Sequence, residues 1–172
     1  MGRAALTRAE LETHFGRFGA AEDPARHGAI IIPEEWRREH LVEIDAPAWL
    51  RSYLHYDNGQ PKPVRHITVH RLVAPHLEAV FAELERRVLT ALIHTWEGCW
   101  VARHMRWDPS APLSSHSWGV ACDVNAANNE FGTAGRQDPR LAEAFGNHGF
   151  SWGGAWHTPD PMHMEYTFLT AL

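Results

Sequence analysis

The sequence predicts an α+β domain, a small antiparallel sheet with helices packed against it, and three observations carry that prediction. Apolar residues between Ala74 and Ile93 recur at spacings of three and four, the period of a long amphipathic helix. Runs at 66–70 and 119–124 have the β-branched content or the alternation of strands. Gly and Pro, 13 and 11 of the 172 residues, break the rest into short elements, with no internal repeat and no low-complexity tract. A chain of this length buries one core comfortably, so residues 1–172 are read as a single domain.

Taken in order, Thr7 and Glu10 have the spacing of a capping box, and Leu6 and Leu11 that of a hydrophobic staple. A first helix therefore runs to about Phe15, before Gly16. From Phe18 to Pro63 the run Ala29-Ile30-Ile31-Ile32, then Pro33, Pro47 and Asp57-Asn58-Gly59, reads as short elements joined by turns. The strand His66–His70 leads into the long helix, whose apolar face is Leu77, Val80, Phe81, Leu84, Val88 and Leu92. Cys99–Arg103 and Gly119–Val124 read as further strands. Asp138 caps a short helix with Pro139 in its first position and Leu141 and Phe145 on one face, and Met162 to Phe168 is the closing strand.

Composition narrows the function. Sixteen basic against 21 acidic residues give a net charge of -5, no footprint for nucleic acid or an anionic membrane. No segment approaches the ~18 apolar residues of a membrane span, and Met1 to Leu11 lacks the apolar stretch of a secretion signal, so a soluble cytosolic product is expected. Cys99 and Cys122 form no metal or redox pair and read as buried thiols. Thirteen histidines are many for this length, and neutral imidazole is the commonest nitrogen ligand of transition metals.

Two motifs concentrate the chemistry. In Ser114-Ser115-His116-Ser117-Trp118-Gly119-Val120-Ala121-Cys122-Asp123, a His leads through a Gly into a strand that carries an Asp. Alternation puts Ala121, Asp123 and Asn125 on one face and Val120, Cys122 and Val124 on the other. A carboxylate in mid-strand is costly to bury unless a metal ion or a salt bridge pairs with it. In Asp160-Pro161-Met162-His163-Met164-Glu165, alternation sets His163 and Glu165 together. Two imidazoles and one carboxylate, with a water in the fourth position, make the open tetrahedral site of a catalytic zinc, and Asp160 would stand near that water. Either spacing alone arises by chance in a chain so rich in His and acid; their occurrence together favours the metal.

These residues resemble the zinc carboxypeptidases and endopeptidases of cell-wall peptides: D-alanyl-D-alanine carboxypeptidases, VanX-type and VanY-type enzymes, and phage L-alanyl-D-glutamate endolysins. The shared pattern is Ser-x-His-x-x-Gly-x-Ala-x-Asp, here Ser114 to Asp123, followed downstream by an acid, two residues and a His, here Asp160 and His163. Gly98–Arg106 and Gly149–Trp156 also fit, so that about residues 65 to 168 are covered and 1–63 form an extension of unassigned role. The resemblance implies the LAS or hedgehog-type fold, with one zinc ion at the open face of the sheet, held by His116, Asp123 and His163. It implies Asp160 as general base and the peptide part of bacterial peptidoglycan as substrate. Arg103 is expected to pair with a substrate carboxylate, with Arg106 the competing candidate and a surface salt bridge the plain alternative. Ser114 is expected either in a turn or donating to substrate, and Glu165 to hydrogen-bond a ligand imidazole. Trp118, Trp152 and Trp156 could complete the core or line a groove, with core favoured for Trp152, and His157 is a reserve candidate beside Asp160. An Asp at 160, where several carboxypeptidases have Glu, looks closer to the endolysin branch, whose product would reach the wall after release from a host cytoplasm. A cytosolic D,D-dipeptidase and a non-hydrolytic zinc-bearing wall-binding or phage tail module are the other readings. Oligomeric state is left open.

Overall fold

A computed structural model describes residues 3–57 and 60–168. Of the expected turn at Asp57-Asn58-Gly59, Asn58 and Gly59 lie outside the described residues. Helix α1 (Arg8–Phe15) starts at the capping box: the Glu10 amide donates to the Thr7 hydroxyl at 3.3 Å, and the Glu10 carboxylate accepts the Thr7 amide at 2.8 Å. Leu6 and Leu11 are both buried, as a staple requires. The extension then forms short elements: β1 (Ala21–Glu22) antiparallel to β2 (Ile30–Ile31), α2 (Glu34–His40), β3 (Leu41–Asp45), and the β4 (Arg51–Asp57) and β5 (Gln60–Pro63) pair. Strand β6 (His66–His70) occupies its expected place and pairs antiparallel with β3.

The long helix α3 (Ala74–Arg86) is shorter than its periodicity suggests. Leu77, Val80, Phe81 and Leu84 are buried as expected, whereas Val88 is 85% exposed. The helix stops because Val88 takes a left-handed conformation (φ 56°), with its amide bonded to Glu85 O and that of Leu89 to Leu84 O. These are the two bonds of a Schellman motif, which turns Val88 away from the core.

A second displacement concerns the strand expected at Cys99–Arg103. The sheet strand is β7 (Trp96–Gly98), and Gly98, at φ 122°, sends Cys99 to Ala102 out of the sheet. Arg103 then forms an isolated bridge with Ala29. Residues Ser115–Trp118 make a 3-10 helix closed by left-handed Gly119, where a Cβ would lie 2.9 Å from the His70 amide. Strand β8 (Ala121–Val124) follows, then α4 (Pro139–Gly146) with its Asp138 cap, β9 (Phe150–Trp152) and β10 (His163–Tyr166). The main sheet is antiparallel throughout, in the order β7-β8-β10-β9. One hydrophobic cluster runs from Leu6 to Tyr166, and both free thiols are buried in it. The α+β architecture matches the expectation. No helix among the described residues is long and apolar enough to cross a membrane.

Candidate metal centre

Strands β8 and β10 lie in register, with Asp123 opposite His163, Cys122 opposite Met164 and Ala121 opposite Glu165. Alternation carries Cys122 and Met164 into the core and leaves Asp123, His163 and Glu165 on the other face. Asn125 departs from that alternation: at φ 59° it turns out of the strand, and its side-chain oxygen accepts the His94 and Thr95 amides. The 3-10 helix before β8 brings His116 in as the third group.

The hydrogen bonds around the two imidazoles fix which nitrogens are bare. His116 Nδ1 donates to the Cys99 carbonyl at 2.7 Å, leaving Nε2 with a lone pair. In the neutral ring His163 Nε2 donates to Glu165 Oε2 at 3.2 Å and Nδ1 keeps a lone pair, whereas in the protonated ring Nδ1 donates to Asp123 Oδ1 at 3.0 Å. These bare nitrogens face each other at 3.2 Å, and Asp123 reaches them at 3.1 and 3.0 Å. One ligand atom from each of His116, Asp123 and His163 lies within 4.8 Å of the others. Lone pairs and a carboxylate so placed repel unless positive charge stands among them.

The electrostatics register that demand. Burial disfavours charge on His163, but hydrogen bonds and charges from Asp123 and Glu165 outweigh it and lift its pKa to about 10. Burial also opposes ionisation of Asp123, yet His116 and His163 hold its carboxyl well below the usual carboxylate range. A divalent cation meets the same demand and uses the lone pairs directly. Two imidazole nitrogens and a carboxylate, with no thiolate, are a donor set that suits zinc with a position left open.

Asp160 enters through the turn before β10, where the His163 amide bonds to Asp160 O at 3.1 Å. A Cβ at Gly153 would lie 2.6 Å from that carbonyl, so the close approach needs glycine. Oδ1 of Asp160 is buried and has no hydrogen-bond partner among the described residues. Burial raises the Asp160 pKa above its ordinary value. A cavity of about 250 Å³ is lined by all three cluster residues together with Asp160, Arg103 and Leu6.

Arg103 is half-buried and forms no ion pair among the described residues; its Nη1 donates to the His104 carbonyl at 3.2 Å. The surface salt bridge weighed from the sequence is therefore not what this side chain makes. Arg106 is exposed, 5.5 Å over the Phe131 ring, and lines the same cavity further out. Ser114 lines it too, with its hydroxyl accepting the His116 amide at 3.4 Å as the cap of the 3-10 helix. Trp118 belongs to the core, Trp152 packs against it, and half-buried Trp156 lines the cavity. His157 is exposed and is not among the residues that line this cavity.

Three contributors were not read from the sequence: the Cys99 carbonyl, the Ser115 hydroxyl at 3.4 Å from His163 Nε2, and the Leu6 amide, which donates to Glu165 Oε1 at 2.6 Å. Two are backbone groups, which leave no mark in residue identity. Ser115 could have been found from its place beside His116 in a helix-capping turn.

Residues 108–166 match a family model described as D-alanyl-D-alanine carboxypeptidase. The matched stretch contains Ser114, His116, Asp123, Asp160, His163 and Glu165, while Arg103 and the N-terminal extension lie outside it. Comparison with curated proteins gave no match, and neither did comparison with solved structures.

Proposed function

Proceeding from the likeness of residues 108–166 to D-alanyl-D-alanine carboxypeptidases, we propose that this chain is a zinc peptidase acting on the stem peptides of bacterial peptidoglycan. The observation that carries the reading is the convergence of two bare imidazole nitrogens and the Asp123 carboxylate beside a buried, unpartnered carboxylate oxygen of Asp160. A site serving only structure or recognition has no use for the last of these.

His116, Asp123 and His163 hold the ion, with the Cys99 carbonyl and Glu165 fixing the two rings. When bound, zinc supplies Lewis acidity toward a carbonyl oxygen and a water molecule. Asp160 accepts the water's proton and passes it to the leaving amine, a task for which a carboxyl with raised pKa is suited. Arg103, a half-buried guanidinium near the charges of Asp123 and Asp160 but in no ion pair among the described residues, takes a carboxylate of the peptide. Ser114 lies on the same wall, within the substrate's reach. The Asp at 160 favours the L-alanyl-D-glutamate endopeptidase reaction over D-Ala-D-Ala cleavage, and with it an endolysin that meets the wall after release from a host cytoplasm.

Purified peptidoglycan digested by the zinc-loaded protein and by Asp160→Ala, with mass analysis of the fragments, tests this. The wild type should release stem-peptide fragments, and the variant should release them at least ~100-fold more slowly while holding the same zinc. Equal release from the two proteins would refute the mechanism.

A further inference from the structure

The extension supplies more than a wall. Between β1 and β2 the chain folds into a tight loop, with Asp23 Oδ1 accepting the Ala25 amide at 2.9 Å and the Ala29 amide bonding to Arg26 O at 3.0 Å. This loop is stitched to the segment carrying Arg103: Ile30 N donates to Ala102 O at 3.0 Å, His104 N donates to Gly28 O at 2.9 Å, and Ala29 bridges Arg103. Gly28, at φ 71°, packs directly on the Trp107 backbone, where an added Cβ would stand 2.1 Å from the carbonyl oxygen. Arg106 and Trp107, at φ 54° and 59°, are consecutive non-glycine residues in the left-handed region, a strained arrangement that this packing holds in place.

The result brings two guanidinium groups to one indole. The Arg26 guanidinium carbon lies 4.0 Å from the Trp107 ring centroid and that of Arg103 lies 5.5 Å from it. Neither forms an ion pair among the described residues. Both line a second cavity, of about 840 Å³, which shares His116 and Asp123 with the smaller one. The two cavities therefore meet at the His-Asp cluster, one with an apolar wall that includes Leu6, Met105 and Trp156, the other with two cations that form no ion pair among the described residues, alongside the carboxylates of Asp23 and Glu97.

We propose that Arg26 and Arg103 together form a carboxylate subsite, which selects peptides carrying a free carboxylate on the Arg26 side of the scissile bond. The two like charges at one ring repel each other, the charges of Asp123 and Asp160 act on Arg103 without forming an ion pair with it, and a carboxylate that reaches both planar guanidinium forks satisfies both. Arg26 lies outside the segment that matches the carboxypeptidase model, so this preference belongs to the extension. The assignment rests on the peptidase reading given above.

The test uses the zinc-loaded full chain and two stem-peptide substrates that differ only in whether that carboxylate is free or amidated. Wild type should favour the acid, and Arg26→Ala should cut the acid-to-amide ratio of kcat/KM roughly tenfold, through KM, with partial recovery in Arg26→Lys. Zinc content and melting temperature of the variants check that the fold is intact. Wild-type cleavage with an unchanged ratio in Arg26→Ala would overturn the Arg26 assignment and leave the peptidase reading standing. Failure of the wild type to cleave either peptide would remove both.

Discussion

The pairs of hydrogen bonds around His116, His163 and His70 show one rule at the scale of single residues: the partner of one ring nitrogen decides what the other can do. At His116 and His163 the partners free a nitrogen toward a shared point. At His70 both nitrogens are used, with Nε2 donating to Phe15 O at 3.1 Å and Nδ1 accepting the Leu72 amide at 3.2 Å. Burial, helped by the charges of His40 and Arg71, drives the His70 pKa down to about 4 against the opposing pull of the Phe15 carbonyl. The folded pKa lies below the unfolded one, so the unfolded chain binds the extra proton between them. His70 therefore contributes its full stability above about pH 6.5 and loses it as the pH falls toward 4, an effect on the order of 3 kcal/mol. Urea midpoints at pH 7 and 4.5 should drop less on acidification in His70→Gln than in wild type. Equal drops would show that His70 does not drive the change.

Elements end where backbone geometry, not hydrophobic pattern, dictates. The periodicity of α3 continues through Val88 and Leu92, yet a left-handed β-branched residue closes the helix at a cost of about 1–2 kcal/mol. Val88 is exposed and gives up little packing, so Val88→Gly should raise the melting temperature by several degrees, readable by calorimetry. An unchanged or lower value would mean that the strain is absent. The same logic separates what was legible in the sequence from what was not. The caps of α1 and α4 and the alternation of β10 are local and showed directly in residue types. The strand expected at residues 99–103 lies instead at Trp96–Gly98, because the φ of Gly98, just before the expected run, turns that run out of the sheet. The motif residues His116, Asp123, Asp160 and His163 were readable because their spacing reflects a turn and a two-residue strand period. Arg26, 77 positions before Arg103, had no local spacing to betray it, and long-range pairing of residues 28–30 with residues 102–104 brings the two together.

For the molecule as a whole, the extension is part of the core. Leu6 and Leu11 seal the core and face the smaller cavity, and the Leu6 amide reaches across the chain to Glu165. Ion binding should therefore stabilise the entire fold, since the unfolded chain holds no preformed site. Zinc in large excess over its dissociation constant should raise the melting temperature of the wild type by the equivalent of about 4 kcal/mol at a thousandfold excess. Chelator should reverse the gain, and His116→Ala should show little of it. A wild-type transition indifferent to both zinc and chelator would exclude a specific site.

The exact facing of Asp123 and His163 across β8 and β10 carries one more implication. A slip of a single residue would put Met164 where His163 stands and turn the imidazole into the interior. On the zinc reading proposed above, capture of an ion would also check strand alignment, because a chain paired one residue out of register would present no complete set of ligand atoms.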